Sequence, residues 1–139
     1  MLPHREGMNP VSLTRWGGRL LTSISILHVI AFLPHPYWPE WLSGEGITSM
    51  ESMALFWALP GGPAVVGILL GLLVSRMGKH GEVAPGYIGW TVLAWAAVGI
   101  ALLGVSGFVL MVVPALMLIT AAVLRRSRRE SRSADAAAV

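Results

Sequence analysis

The sequence predicts an all-α membrane protein, a four-transmembrane-helix bundle with both termini cytoplasmic. Three observations predict it. The chain of 139 residues is 55% hydrophobic and only 12% charged, with a mean hydropathy of +0.68. A soluble domain carries about 25% charged residues, so these charges are too few to cover a water-facing surface. Long uncharged runs are present, and the 10 basic residues are confined to three places. Cysteine is absent, which excludes disulfides and thiolate chemistry.

A helix needs about 20 apolar residues to cross a hydrocarbon core of about 30 Å. Leu20–Leu33 is a short uncharged run, but Arg15 and Arg19 can snorkel to the headgroups, so the first span is set at 13–33. Ser52–Ser75 is long enough for one crossing, giving 52–75. Val83–Leu124 is about twice that length at 1.5 Å per residue. Gly104-Val105-Ser106-Gly107 divides it with a turn, giving spans 84–103 and 107–124.

The basic clusters test this count. They are Arg5, Arg15 and Arg19; Arg76 and Lys79; and Arg125, Arg126, Arg128, Arg129 and Arg132. Four crossings put all three on one face of the membrane, which the positive-inside rule makes cytoplasmic. Three or five would split them. Residues 1–12 are then a cytoplasmic tail, 13–124 the transmembrane domain, and 125–139 a basic tail expected to be disordered. A cleaved leader ending at Val29-Ile30-Ala31 is disfavoured, because Thr22, Ser23, Ser25 and His28 weaken its hydrophobic region. Met8 is an alternative start.

Between the first two spans, Pro34-His35-Pro36-Tyr37-Trp38-Pro39-Glu40-Trp41 reads as an interfacial anchor, since Tyr and Trp favour that depth and the prolines end the helix. His35 and Glu40 are two ligands without a third, too few for a metal site. Thr48-Ser49-Met50-Glu51 fits the S/T-x-x-E capping box, with Glu51 at the positive end of the second helix.

Candidate functional residues lie deeper. His28 is the titratable group inside the first span; with Gly18, Thr22 and Ser25 it forms a small, polar stripe that should face other helices. Its readings are a hydrogen-bonded packing histidine, a proton relay or a ligand contact. Haem held by two histidines is disfavoured because no other span offers one, leaving only a methionine partner. Leu59-Pro60-Gly61-Gly62-Pro63 should break or kink the second span, and freed carbonyls there must be covered by protein or a wet cavity. Pro60, Gly61, Gly62 and Pro63, with Ser25 and His28, are therefore the candidate pore or ligand contacts. Gly67 and Gly71 form a GxxxG pair for helix packing. Pro114 is a lesser kink. Arg15, Arg19, Arg125, Arg126, Arg128 and Arg129 are expected to contact anionic lipid, each contributing about 1 kcal/mol near the surface. The tail begins where the last span ends, so a bilayer rather than nucleic acid is its partner. No catalytic residue, metal or cofactor is expected.

The segment GYIGWTVLAWAAVGIALLGVSGFVLMVVPAL (86–116) resembles the closing hairpin of a family of small bacterial membrane proteins of unknown function with four predicted helices. The likeness rests on Gly89-Trp90, Ser106-Gly107-Phe108 and Pro114-Ala115-Leu116, and on Phe56-Trp57 with Gly67 and Gly71 in a helix ending at Arg76. It covers most of Phe56–Leu116 and, more loosely, the first helix; Pro60–Pro63 departs from it locally. The resemblance implies a multi-pass protein of the bacterial plasma (inner) membrane and carries over no catalytic or binding residue.

Three functional classes follow. A non-enzymatic helical module, assembling with itself or with a membrane partner, agrees with the many small residues and the lack of a deep carboxylate. A small transporter or channel would use His28 and the Pro60–Pro63 break. A membrane enzyme lacks a nucleophile–base pair to support it.

Overall fold

The structure is a computed structural model describing residues 9–44, 46–59, 62–104 and 106–137. It is 81% helix, with no strand among the described residues. The elements are α1 (Pro10–Ala31), α2 (Trp38–Leu42), α3 (Met50–Ala58), α4 (Pro63–Lys79), α5 (Gly86–Leu103) and α6 (Phe108–Ala137). Three stretches are long and apolar enough to cross a membrane: Met50–Lys79 (α3 with α4), Gly86–Leu103 and Phe108–Ala137. At 22 residues α1 is long enough as well; Arg15, Arg19 and its glycine and hydroxyl residues keep it out of that apolar class.

Local chemistry explains the boundaries. α1 starts at Pro10, earlier than the expected 13, because the Asn9 side chain caps it, accepting from the Val11 N–H at 3.0 Å, and proline suits a first helical position. It stops at Ala31, ahead of Pro34. The second span is two helices: α3 stops at Ala58 and α4 resumes at Pro63. Residues 60 and 61 lie outside the described residues. α4 closes with a Schellman motif, in which Gly81 at φ +79° turns the chain, the Glu82 N–H bonds Met77 O at 2.9 Å and the Gly81 N–H bonds Gly78 O at 3.4 Å. Gly104 at φ +70° ends α5. Beyond Leu124 the chain does not unravel as expected but continues α6 to Ala137. Arg, Glu and Ala are good helix formers, and the Arg126–Glu130 pair at (i, i+4) supports this turn.

Contacts set the directions. α1 runs antiparallel to α4 and to α6, and α5 antiparallel to α6, so the backbone packing order is α4–α1–α6–α5. Thr14, Gly78, Ala84 and Arg125 share one end of the bundle; the 34–49 loop and Gly104 share the other. Two small clusters make the core, Val74–Ala84–Ile88–Leu118 and Leu21–Val92–Ala115, with Leu70 packed against both. The remaining buried positions are mostly small: Thr14, Gly17, Gly18, Ser25, Gly67, Gly71, Ser75 and Gly78. Large apolar side chains point outward, among them Leu27, Leu69, Leu73, Trp90, Val98, Leu102 and Val123. Small inside and large outside reverses the pattern of a protein dissolved in water.

Candidate functional site

The tightest contact joins α1 and α4. Gly78 backs onto Arg15, where an added Cβ would lie 2.5 Å from the Arg15 nitrogen. Two turns back along α4, Gly71 backs onto Thr22 and Gly18, and one turn further Gly67 backs onto the Ser25 hydroxyl. Gly18 in turn faces the backbone of Ser75, and a Cβ there would lie 2.7 Å from Gly71 O. The Thr22 hydroxyl turns inward to its own helix, donating to Gly18 O at 3.1 Å. Gly67 and Gly71 thus lie against the Gly18–Thr22–Ser25 stripe. The sequence reading missed Gly78, which extends that seam by two turns; its signal is the seven-residue spacing from Gly71. It also missed Gly89 against Ile119 and Gly99 against Phe108, which seat α5 on α6.

His28 sits one turn beyond Ser25 and is half-buried. Its ring lies 5.1 Å from the Phe32 ring, and among the described residues no side chain hydrogen-bonds it. The antiparallel register brings His28 to the level of the Pro63 end of α4, where the second span is interrupted. At that interruption a Cβ on Gly62 would meet Trp57 O at 2.6 Å, and Leu59 is fully buried. The candidates Ser25, His28, Gly62 and Pro63 therefore share one end of the α1–α4 pair; Pro60 and Gly61 lie outside the described residues.

Above this level the connecting segment folds into a cap. The Glu40 carboxylate accepts from both the N–H and the hydroxyl of Thr48, at 2.7 and 2.8 Å. These two bonds hold its carboxyl below the usual carboxylate range. Trp41 Nε1 donates to the fully buried Ser52 hydroxyl at 2.9 Å, and Trp38 Nε1 to Phe32 O at 2.7 Å. Edge-on ring contacts link Trp38, Trp41, Phe56 and Trp57. Partial desolvation, aided by Glu51, pushes the Tyr37 phenol above its ordinary value. Thr48 is not the helix cap that the S/T-x-x-E spacing implies. Ser49 caps α3, accepting from the Ser52 N–H at 3.0 Å, while the Thr48 hydroxyl donates to Glu40. Glu51 does fall in the first turn of α3. His35 accepts from the Tyr37 N–H at 3.5 Å and is not brought to Glu40 by any contact. Among the described residues, no three His, Cys, Asp or Glu groups converge.

The opposite end is basic. Thr14, fully buried, accepts from the Ala84 N–H at 3.3 Å, and Arg125 Nη1 donates to Val83 O at 3.1 Å. These bonds tie the α4–α5 connection to α1 and α6. Arg19 stacks over Trp16, its guanidinium carbon 4.7 Å from the ring centre, while Arg126, Arg128 and Arg129 are exposed.

One comparison with known proteins is positive: the model of a family described as being of unknown function (DUF6463) matches residues 12–125. No curated protein matches, and neither does any solved structure.

Proposed function

The chain belongs to the family of unknown function DUF6463, and from that premise we propose that it is an integral membrane module of four crossings, without enzymatic activity, that assembles with itself or with another membrane protein. The observation that carries this reading is the reversed burial pattern: glycine, serine, threonine and alanine line the helix contacts while Leu, Val and Trp face outward. In lipid that arrangement costs nothing, because hydrocarbon tails are as apolar as leucine and helices associate through close van der Waals packing.

In this reading α1 is the fourth crossing, although less apolar than the other three, because its polar groups lie against α4 and α6. Arg15, Arg19, Arg76, Lys79 and Arg125 would mark the cytoplasmic side of a plasma membrane. Assembly is supported by α5, whose backbone, among the described residues, packs closely against α6 only. Ala94, Ala97 and Ala101 are exposed on it, and small residues at that spacing let another helix approach.

Single cysteines at Leu42, His80 and Gly107 test the topology in a chain with none of its own. A membrane-impermeant thiol reagent added outside intact cells should label Leu42→Cys and Gly107→Cys and spare His80→Cys. Labelling of His80→Cys together with Leu42→Cys would rule out four crossings. Native mass spectrometry from mild detergent should show a self-oligomer or a stoichiometric partner; a bare monomer under the gentlest extraction counts against assembly.

A second reading, a small transporter, draws on His28 lying level with the interrupted second span. It requires that His28→Ala alter a pH-dependent flux in proteoliposomes while insertion stays normal.

A further inference from the structure

At the basic end, between the start of α5 and the outer part of α6, lies an open pocket of about 200 Å³. Its floor is Ala84, Pro85, Gly86 and Ala122; its wall is Arg125, Arg126 and Arg129. These arginines share one face of α6, since positions three and four apart lie above one another on a helix. Arg128 does not line the pocket.

The charges converge with little to neutralise them. Arg125 is fixed over the pocket by its bond to Val83 O. Arg126 engages Glu130 through Nε at 2.9 Å, a pair whose side chains are 83% and 66% exposed and therefore weakly held. Arg129 has no side-chain partner among the described residues. One carboxylate thus faces three guanidinium groups around an apolar floor, an arrangement that repels itself until an anion enters. The N-cap of α5 is Pro85, which supplies no side-chain acceptor, so the helix presents its positive end to the same side. Guanidinium forks match the oxygens of a phosphate and bind it in pairs.

We propose that this pocket binds a phosphate group, carried by a lipid headgroup or free in solution. The lipid source rests on the membrane reading above, which would set the pocket at headgroup depth. The phosphate chemistry does not depend on it.

The test uses the full chain. In nanodiscs of phosphatidylcholine doped with phosphatidylglycerol, native mass spectrometry should detect retained phosphatidylglycerol on the wild type. Arg129→Gln should cut retention by about tenfold, the effect of losing one charge-assisted bond pair, and Arg128→Gln, which lies outside the pocket, should cut it by clearly less. The Arg129 side chain is exposed and makes no hydrogen bond or ion pair among the described residues, so its loss leaves the fold intact. Equal losses in Arg128→Gln and Arg129→Gln would mean a diffuse basic surface and would overturn the pocket. In detergent, calorimetric titration with inorganic phosphate separates the sources. Binding there with the same ranking of variants assigns a free anion, and binding only in the nanodisc assigns the lipid. Binding in neither overturns the proposal. A chain that never enters nanodiscs defeats the membrane reading alone, because the phosphate titration still judges the pocket.

Discussion

Gly71 of α4 lies against the backbone of α1 at Thr22, so closely that a Cβ at Gly71 would stand 2.6 Å from the Thr22 nitrogen and 2.7 Å from Gly18 O. Backbone atoms on both sides cannot rotate aside as a side chain would. The two helices must separate to admit even a methyl group.

Gly71→Ala is therefore expected to destabilise the bundle by about 1–3 kcal/mol, the usual cost of overpacking. Gly107, with nothing within 4 Å of its built Cβ, is the control, and Gly107→Ala should change stability by less than about 0.5 kcal/mol. Unfolding of the two variants by SDS in mixed micelles measures the difference. Equal stability would mean that α1 and α4 are not in backbone contact.

Ser52 is fully buried and accepts the Trp41 indole N–H. Ser52→Ala leaves that donor without its partner, at a cost of about 1–3 kcal/mol if it stays out of water. The expected result is a red-shifted tryptophan emission and faster hydrogen exchange in residues 38–42. Unchanged emission would show that the cap does not depend on this bond.

Glu40 gives the cap a pH dependence. Its carboxyl titrates below the usual value of 4.5, chiefly because it accepts the Thr48 N–H and then the Thr48 hydroxyl. A depressed folded pKa stabilises the cap fully above the unfolded value. That contribution is lost as pH falls below 4.5, through the folded pKa. The protection of the Thr48 amide, corrected for the intrinsic pH dependence of exchange, should therefore fall in acid and stay level from pH 6 upward. In Glu40→Gln the acid-side change should disappear; its persistence would assign the effect to another group.

Gly99 sets the far end of the α5–α6 hairpin. A Cβ there would run into the Phe108 ring, 2.5 Å from Cδ1, but the obstacle is a side chain that can swing away. Gly99→Ala should thus cost less than Gly71→Ala, and the same SDS titration ranks the two. A reversed order would mean that Phe108 is locked in place.

The apolar runs, the interruption near Pro60–Pro63, the turn near Gly104 and the gathering of basic residues at one end are all legible in the residue order, because each depends on local composition. Helix ends were less legible. The Asn9 cap starts α1 ahead of the expected residue 13, and Ser49 caps α3 in place of Thr48, which bonds Glu40. The 125–137 segment is helical although a basic, alanine-rich C-terminal tail points to disorder, because its Arg, Glu and Ala content favours helix.

The sequence by itself determined that the chain is helical and apolar, since backbone groups with no water to bond must be satisfied within the segment. Tertiary structure alone decided which helix touches which. Gly67 and Gly71 could have met any small-residue stripe, and only the fold set them on Thr22 and Ser25. Likewise only the fold brought Gly86 beside Arg125 and Arg129, because such contacts depend on the register between helices, which spacing along one chain does not specify.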